Sequence, residues 1–205
     1  MTRAALKHLA DVDPVMRRLI RQVGPCQLVP KTRRTLFQTL VMAVANQQLN
    51  NKAAATILGR FIKLFPGRRF PRPEDVASVS DDAIRAAGFS RAKVASIRDI
   101  AAKTLEGVVP TSREVARLSD DEIVERLTEV RGVGRWTVEM LLIFQLARPD
   151  VLPADDFGLR TGFRHAYRRR RLPTPKEVLA HGESWRPYRT TASWYLWRAV
   201  DLAKK

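Results

Sequence analysis

Two glycines one residue apart, Gly132 and Gly134, separate two segments whose apolar residues recur with helical spacing. The second segment, residues 136–146, is strongly apolar. Glycines at this spacing let the backbone turn sharply and lie close to another molecule. The first amides of the next helix have no acceptor inside that helix, and such amides bind anions such as phosphate. The chain is therefore expected to join two helices through an anion-binding turn.

The residues around this turn fit a helix-hairpin-helix motif, which binds one nucleic-acid strand. They follow the pattern Leu-x-x-Val-x-Gly-Val-Gly-x-x-Thr within about residues 123–146. An ordinary tight turn between core helices is the alternative. The apolar residues in register on both sides, with Thr137 just inside the second helix, favour the hairpin. The DNA contacts expected here come from Gly132, Val133, Gly134, Arg135 and Thr137.

The charge of the chain also predicts a polyanionic partner. Lys and Arg number 37 against 21 Asp and Glu, a net charge of +16, and nucleic acid is the commonest such partner. A membrane surface is the rival, but the charge is spread along the chain and not concentrated on one amphipathic helix. The arginine run 168–171 fits attraction to the DNA backbone better than a solvated turn. With no long apolar run and no visible signal peptide, we expect a cytoplasmic protein without a membrane partner.

The cysteine and histidine content limits the cofactors. The single cysteine, Cys26, excludes an internal disulfide and a four-cysteine iron–sulfur cluster. The three histidines are scattered, which argues against a zinc site. Hydrophobic residues make up 45% of the chain and no segment has the period of a strand, so we expect a globular, all-α fold.

A run rich in amide side chains, residues 47–51, lies between two apolar helical segments. Asn and Gln are poor choices for burial unless they are paired. Two interpretations therefore stay open: a capped turn between helices, or a surface that meets a hydrogen-bonding ligand. A second, imperfect hairpin is expected where Ile84 precedes Gly88-Phe-Ser-x-x-Lys93.

Together these features resemble the helix-hairpin-helix superfamily of DNA glycosylases, and within it the 3-methyladenine DNA glycosylase II family. The resemblance rests on four segments in order: NQQLNNKAAA, GFSxxK, GVGRWT followed by an Asp after a Pro-bearing loop, and WRPYRxxAxxYxW. It spans roughly Leu36 to Ala203. It implies two helical lobes with a cleft between them, one of residues 36–149 and the other of residues 1–35 with 150–205.

The resemblance also implies the active-site residues. Asp156, twenty residues after Trp136, takes the position of the catalytic carboxylate, and Asp155 is left to cap the next helix. Trp136 and Trp197 are expected to line a base pocket, with core anchors as the alternative for both indoles. Met140 stands in that pocket where relatives often carry an aromatic residue.

The DNA-facing residues follow from the same resemblance. Gln47 and Gln48 begin the segment that supplies a wedge to fill the gap left in DNA, and Gln48 matches the wedge itself. Arg189 lies in the C-terminal signature and is expected to contact DNA. The backbone carbonyls of Thr128, Val130 and Val133 match a site for Na⁺ or K⁺ that bridges to phosphate, and no other cofactor is expected.

The expected function is that of a monofunctional DNA glycosylase of base excision repair. As a monomer on double-stranded DNA, it would flip out and release alkylated purines such as 3-methyladenine and 7-methylguanine. Bifunctional relatives carry a lysine where Trp136 stands, and indole cannot form their Schiff base. The alternatives are a helix-hairpin-helix DNA-binding protein without chemistry, or a glycosylase for another damaged base.

Overall fold

The computed structural model describes residues 2–30 and 33–203, which form helices, turns and loops with no strand among them. This confirms the expected all-α fold. Within the described residues the α-helices are α1 Arg3–Val12, α2 Pro14–Val23, α3 Leu36–Asn46, α4 Asn51–Lys63, α5 Pro73–Ser78, α6 Asp81–Ala86, α7 Arg91–Leu105, α8 Ser112–Val115, α9 Asp120–Thr128, α10 Arg135–Phe144, α11 Phe157–Ala166, α12 Pro175–Gly182 and α13 Arg189–Leu202.

The chain divides into two compact units. One is Arg33–Val138, and the other combines Met1–Thr32 with Glu139–Lys205. The second boundary falls inside α10, whereas the sequence suggested a boundary after that helix. Residues 1, 31, 32, 204 and 205 of the predicted second lobe lie outside the described residues. The cleft stays a prediction.

Most helices begin at a Ser, Thr, Asn or Asp whose side chain accepts a backbone amide of the first turn. Ser119 caps α9 in this way, accepting the Glu122 amide at 3.2 Å, while the Glu122 carboxylate accepts the Ser119 amide at 2.7 Å. Thr174 and Glu177 form the same reciprocal pair at the start of α12. The sequence prediction missed α12, although the Thr-Pro-Lys-Glu pattern was there. Its prolines suggest a break, but Pro175 takes the first helical position, where no amide donor is needed.

In the unit Arg33–Val138, α7 packs against α3, α5 and α6. Leu40, Val41 and Val44 on α3 are fully buried, and α3 packs against α4 and α7. A cluster of aromatic rings holds α4: Phe61 meets Phe65 and Phe89 edge to face, at centroid distances of 5.3 and 5.6 Å. The cluster thus connects α4 to the turn before α7.

The other unit is built on the packing of α11 against α13. A Cβ on Gly162 of α11 would overlap the carbonyl of Leu196 on α13, so these two helices approach closely. Trp185 is fully buried, and its indole N–H donates to Asp13 at 2.9 Å. This makes Trp185 a core anchor.

The carboxylate of Asp13 joins several elements of this unit. Its Oδ1 caps α2, and its Oδ2 accepts from the Tyr167 hydroxyl at 2.5 Å and lies 3.2 Å from Nε2 of His181. Burial by itself raises the pKa of Asp13. The hydrogen bonds from His181, Tyr167, Trp185 and the Met16 amide outweigh it and hold that pKa well below its usual range.

Candidate active site and nucleic-acid interface

The hairpin turn connects α9 to α10 and places its two glycines in different environments. Gly132 has a φ of 78°, and a Cβ there would lie 2.5 Å from Oγ of Ser96, so both backbone conformation and packing require glycine. Gly134 has no left-handed φ, and a Cβ there would meet no atom within 4 Å beyond its own neighbours. The Gly134 carbonyl accepts the amides of Thr137 and Val138 at 2.9 and 3.2 Å, which starts α10. The fold thus requires a glycine at 132 but not at 134.

The predicted hairpin contacts differ in exposure. Gly132, Gly134 and Arg135 are exposed, whereas the side chains of Val133 and Thr137 are buried. A contact of Val133 or Thr137 with DNA could therefore use only the backbone. The amide of Arg131 donates to Asp99 Oδ2 at 2.7 Å, which ties the turn to α7.

The predicted cation site uses backbone carbonyls of the same turn. The carbonyl of Val130 accepts the amide of Val133 at 3.0 Å, and a carbonyl oxygen has a second lone pair available for a cation. The three carbonyls of Thr128, Val130 and Val133 are thus chemically suited to a monovalent ion, and this site stays a prediction. Among the described residues, no group of three or more His, Cys, Asp or Glu side chains could hold a metal ion.

The structure divides the amide-rich run between two roles. Asn50 caps α4 by accepting the Ala53 amide at 2.9 Å, and Gln47 donates to the Gly132 carbonyl at 2.9 Å. Gln48 is exposed with a φ of 57°, and no hydrogen bond of its side chain is seen among the described residues. Leu49 next to it is 38% exposed. The turn therefore both caps a helix and presents Gln48 outward.

The candidate catalytic carboxylate, Asp156, accepts two hydrogen bonds at its Oδ1. Its Oδ1 accepts the Leu159 amide at 2.6 Å and the Trp197 indole N–H at 2.8 Å. A Cβ on Gly158 would lie 3.2 Å from this oxygen, so glycine leaves room for both bonds. The prediction that Asp155 caps α11 is wrong: Asp156 is the cap and Asp155 is exposed. The cap and the Trp197 bond together fix the orientation of the Asp156 carboxylate.

Aromatic rings lie beside this carboxylate. Phe144 stacks on Trp197 with a centroid distance of 5.7 Å and an interplanar angle of 24°. Phe144 is 39% exposed and Phe157, directly after Asp156, is 71% exposed. The sequence prediction missed both. Phe144 could have been found from its spacing, because it lies four residues after Met140 and eight after Trp136 on α10. Residues four apart share one face of a helix.

The other predicted pocket residues lie on α10. Trp136 is 49% exposed, which does not fit the core-anchor alternative for this indole. Met140, one turn further along, is partly buried. Trp136 belongs to the unit Arg33–Val138, whereas Asp156 and Trp197 belong to the other unit.

Arg189 does not have the environment expected of a DNA contact. Its side chain is only 12% exposed, and its Nε and Nη2 bond the two carboxylate oxygens of Asp150 at 2.8 and 3.0 Å. Arg186 bonds the same carboxylate at 2.7 Å. The prediction for Arg189 is therefore corrected to an internal ion pair, which joins the start of α13 to the loop between α10 and α11.

Comparison with known proteins identifies the family. The HhH-GPD superfamily of base excision DNA repair proteins matches residues 41–187. The chain belongs to this superfamily. This confirms the superfamily that the sequence predicted, and with it a function in base excision repair.

Individual relatives are similar to this protein in sequence and structure over nearly its whole length. The chain is 44% identical to DNA-3-methyladenine glycosylase 1 of Schizosaccharomyces pombe, over 99% of this chain and 89% of the relative. A solved structure of the S. pombe 3-methyladenine DNA glycosylase in complex with abasic DNA superposes with a TM-score of 0.87 at 43% identity, covering 98% of both chains. A DNA-3-methyladenine glycosidase from Bacillus halodurans gives a TM-score of 0.89 at 35% identity, over 98% of this chain and 91% of that one.

The arginine run after α11, residues 168–171, lies at the protein surface. Arg168, Arg169, Arg170 and Arg171 are all exposed, and Arg171 also pairs with Glu177 at 2.7 Å. This bond, with those from Thr174, lowers the pKa of Glu177 to about 2. The ion pair thus engages Arg171 without burying it, and all four arginines are exposed at this surface. No helix among the described residues is long and apolar enough to cross a membrane.

Proposed function

We propose that this chain is a monofunctional DNA glycosylase that releases alkylated purines from double-stranded DNA and leaves an abasic site. The observation that carries the proposal is the Asp156 carboxylate, fixed by the α11 amide and the Trp197 indole beside stacked aromatic rings. The names of the similar proteins support the substrate class. The protein would act as a cytoplasmic monomer, without a cofactor other than a Na⁺ or K⁺ ion at the hairpin.

The reaction begins when the damaged base leaves the helix, because its glycosidic bond cannot be reached inside a duplex. Breaking that bond leaves positive charge on the sugar. A carboxylate about 4 Å from that charge, at an effective dielectric of about 20, stabilises it by about 4 kcal/mol. This corresponds to roughly a thousandfold in rate. The Asp156 carboxylate would supply the negative charge that stabilises the sugar. It could also orient or deprotonate the attacking water.

Selectivity for alkylated bases would come from charge. Alkylation at N3 or N7 makes a purine cationic and a good leaving group, so no general acid is needed. Indole faces attract a cation by roughly 0.5–2 kcal/mol. Trp136 is half exposed, and the Trp197 indole N–H bonds Asp156, so both indoles are suited to this role.

Strand cleavage is not part of the proposed reaction. A lyase of this superfamily would need an amine at the hairpin position to form a Schiff base with the sugar, and Trp136 offers none. The product would therefore be an intact strand with an abasic site.

Incubation with methylated duplex DNA tests the proposal. The wild-type protein should release 3-methyladenine and 7-methylguanine, and the strand should break only after alkali treatment. Asp156→Asn keeps the shape and removes the charge, so release should fall about a thousandfold while abasic DNA is still bound. Asp155→Asn is the matched control and should remain active. Without base release by the wild-type protein, the DNA-binding alternative would stand.

A further inference from the structure

Lys93 on α7 holds the C-terminal end of α3. Its ammonium donates to the carbonyl of Ala45 at 3.0 Å and to that of Gln47 at 2.8 Å. The last carbonyls of a helix lack partners within it and carry the negative end of its dipole, so a cation there stabilises the helix end. Burial lowers the pKa of Lys93. Since its donors bond the protein backbone, Lys93 is poorly placed to serve as a phosphate contact.

Gln47 connects this same helix end to the hairpin. Its side-chain amide donates to the carbonyl of Gly132 at 2.9 Å, across 85 residues of sequence. Gln48 follows directly, exposed and in the left-handed region, which a non-glycine residue adopts only when its surroundings hold it there. One continuous set of bonds therefore runs from Lys93 through Gln47 to the hairpin turn, with Gln48 at its outer edge.

We propose that Gln47 and Lys93 are positioning residues that hold the Gln48 turn against the hairpin, so that wedge and phosphate-binding turn meet DNA as one rigid surface. This inference rests on the proposed function and changes the predicted role of Gln47. Its amide contacts the protein, and its effect on DNA passes through Gln48. All the bonds involved lie within the unit Arg33–Val138.

A double-mutant cycle on DNA binding tests this role without requiring catalysis. Gln47→Met removes the donor and keeps the length of the side chain, and Gln48→Ala removes the wedge. The measurement is the ratio of affinities for a duplex with an abasic-site analogue and for the undamaged duplex, by fluorescence anisotropy at one salt concentration. Gln47→Met should lower this ratio about two- to tenfold, the effect of losing one hydrogen bond. In the Gln48→Ala background it should have no further effect.

Two further variants complete the design. Lys93→Met keeps the aliphatic stem and removes both carbonyl contacts, so it should give the same loss and the same dependence on Gln48. Asn46→Ala is the matched control, because within residues 2–30 and 33–203 the amide of Asn46 bonds only the Met42 carbonyl of its own helix, at 2.7 Å. That variant should keep the wild-type ratio.

Several results would overturn the inference. If Gln47→Met lowers the affinity ratio equally in the wild-type and Gln48→Ala backgrounds, Gln47 contacts DNA itself. Equal losses on abasic and undamaged DNA would mean that it acts on the whole fold, and an unchanged ratio in Gln48→Ala would remove Gln48 as the wedge. The proposed function fails separately: wild-type protein that prefers abasic DNA but releases no base would reject the glycosylase and leave the positioning role standing.

Discussion

Alanine at Gly134 should weaken binding to every DNA sequence without harming the fold, whereas alanine at Gly132 should harm the fold itself. The two glycines are one residue apart, yet only Gly132 has a left-handed φ and a packed neighbour. A methyl group on Gly134 projects into open space, where a phosphate would lie if the hairpin grips the backbone. The pair therefore separates the DNA contact from the folding requirement.

The magnitudes follow from these environments. For Gly132→Ala, the left-handed backbone costs about 1–2 kcal/mol, and overpacking against Ser96 costs about 1–3 kcal/mol. The sum of about 2–5 kcal/mol corresponds to a fall in Tm of roughly 4–20 °C for a chain of this size. For Gly134→Ala, stability should change by at most about 1 kcal/mol, since only a helix cap is altered. Losing one amide–phosphate bond of about 1.5–3 kcal/mol should lower affinity roughly tenfold to a hundredfold.

Thermal unfolding and anisotropy with several unrelated undamaged duplexes measure both quantities, at one fixed salt concentration because phosphate binding depends on salt. Ser96→Ala combined with Gly132→Ala should recover part of the overpacking cost but not the backbone cost. If Gly134→Ala binds undamaged duplex as well as the wild type does, the hairpin is not in the DNA interface. A large fall in its Tm would refute the assignment of open space at this position.

Two other perturbations test the unit that carries Asp156. Trp197→Phe keeps an aromatic ring for Phe144 and removes the N–H that bonds Asp156 at 2.8 Å. Single-turnover release of 7-methylguanine should fall about tenfold or more, the worth of one bond to a charged group. A large fall in Tm accompanying the loss of release would instead make Trp197 a core anchor. Asp13 has a depressed pKa, so its stabilising contribution should be complete above its unfolded pKa of about 3.9 and lost as pH falls below it. Asp13→Asn should destabilise the protein at pH 7 by a few kcal/mol in urea unfolding and flatten this acid dependence; an unchanged pH profile would contradict the role of the Asp13 network.

Local features of the chain were readable from the sequence because short-range physics decides them. The helical period of the apolar residues, the caps such as Ser119, and the need for glycine at a sharp turn depend on neighbours a few residues away. The position of Asp156 relative to Trp136 is also a matter of spacing, and the family could be suspected from it. Even α12 carried its local signal in Thr174 and Glu177.

The partners of polar side chains were decided only by the tertiary structure. Asp155 and Asp156 are equally good caps by sequence, and the start of α11 together with the Trp197 indole, 41 residues away, selects Asp156. Arg189 could serve DNA or a carboxylate, and packing brings Asp150, 39 residues before it, within bonding distance. Gln47 likewise reaches Gly132 across 85 residues. A charged or amide side chain can form hydrogen bonds of similar strength with many groups. Its actual partner is therefore the group that the folded chain brings within about 3 Å.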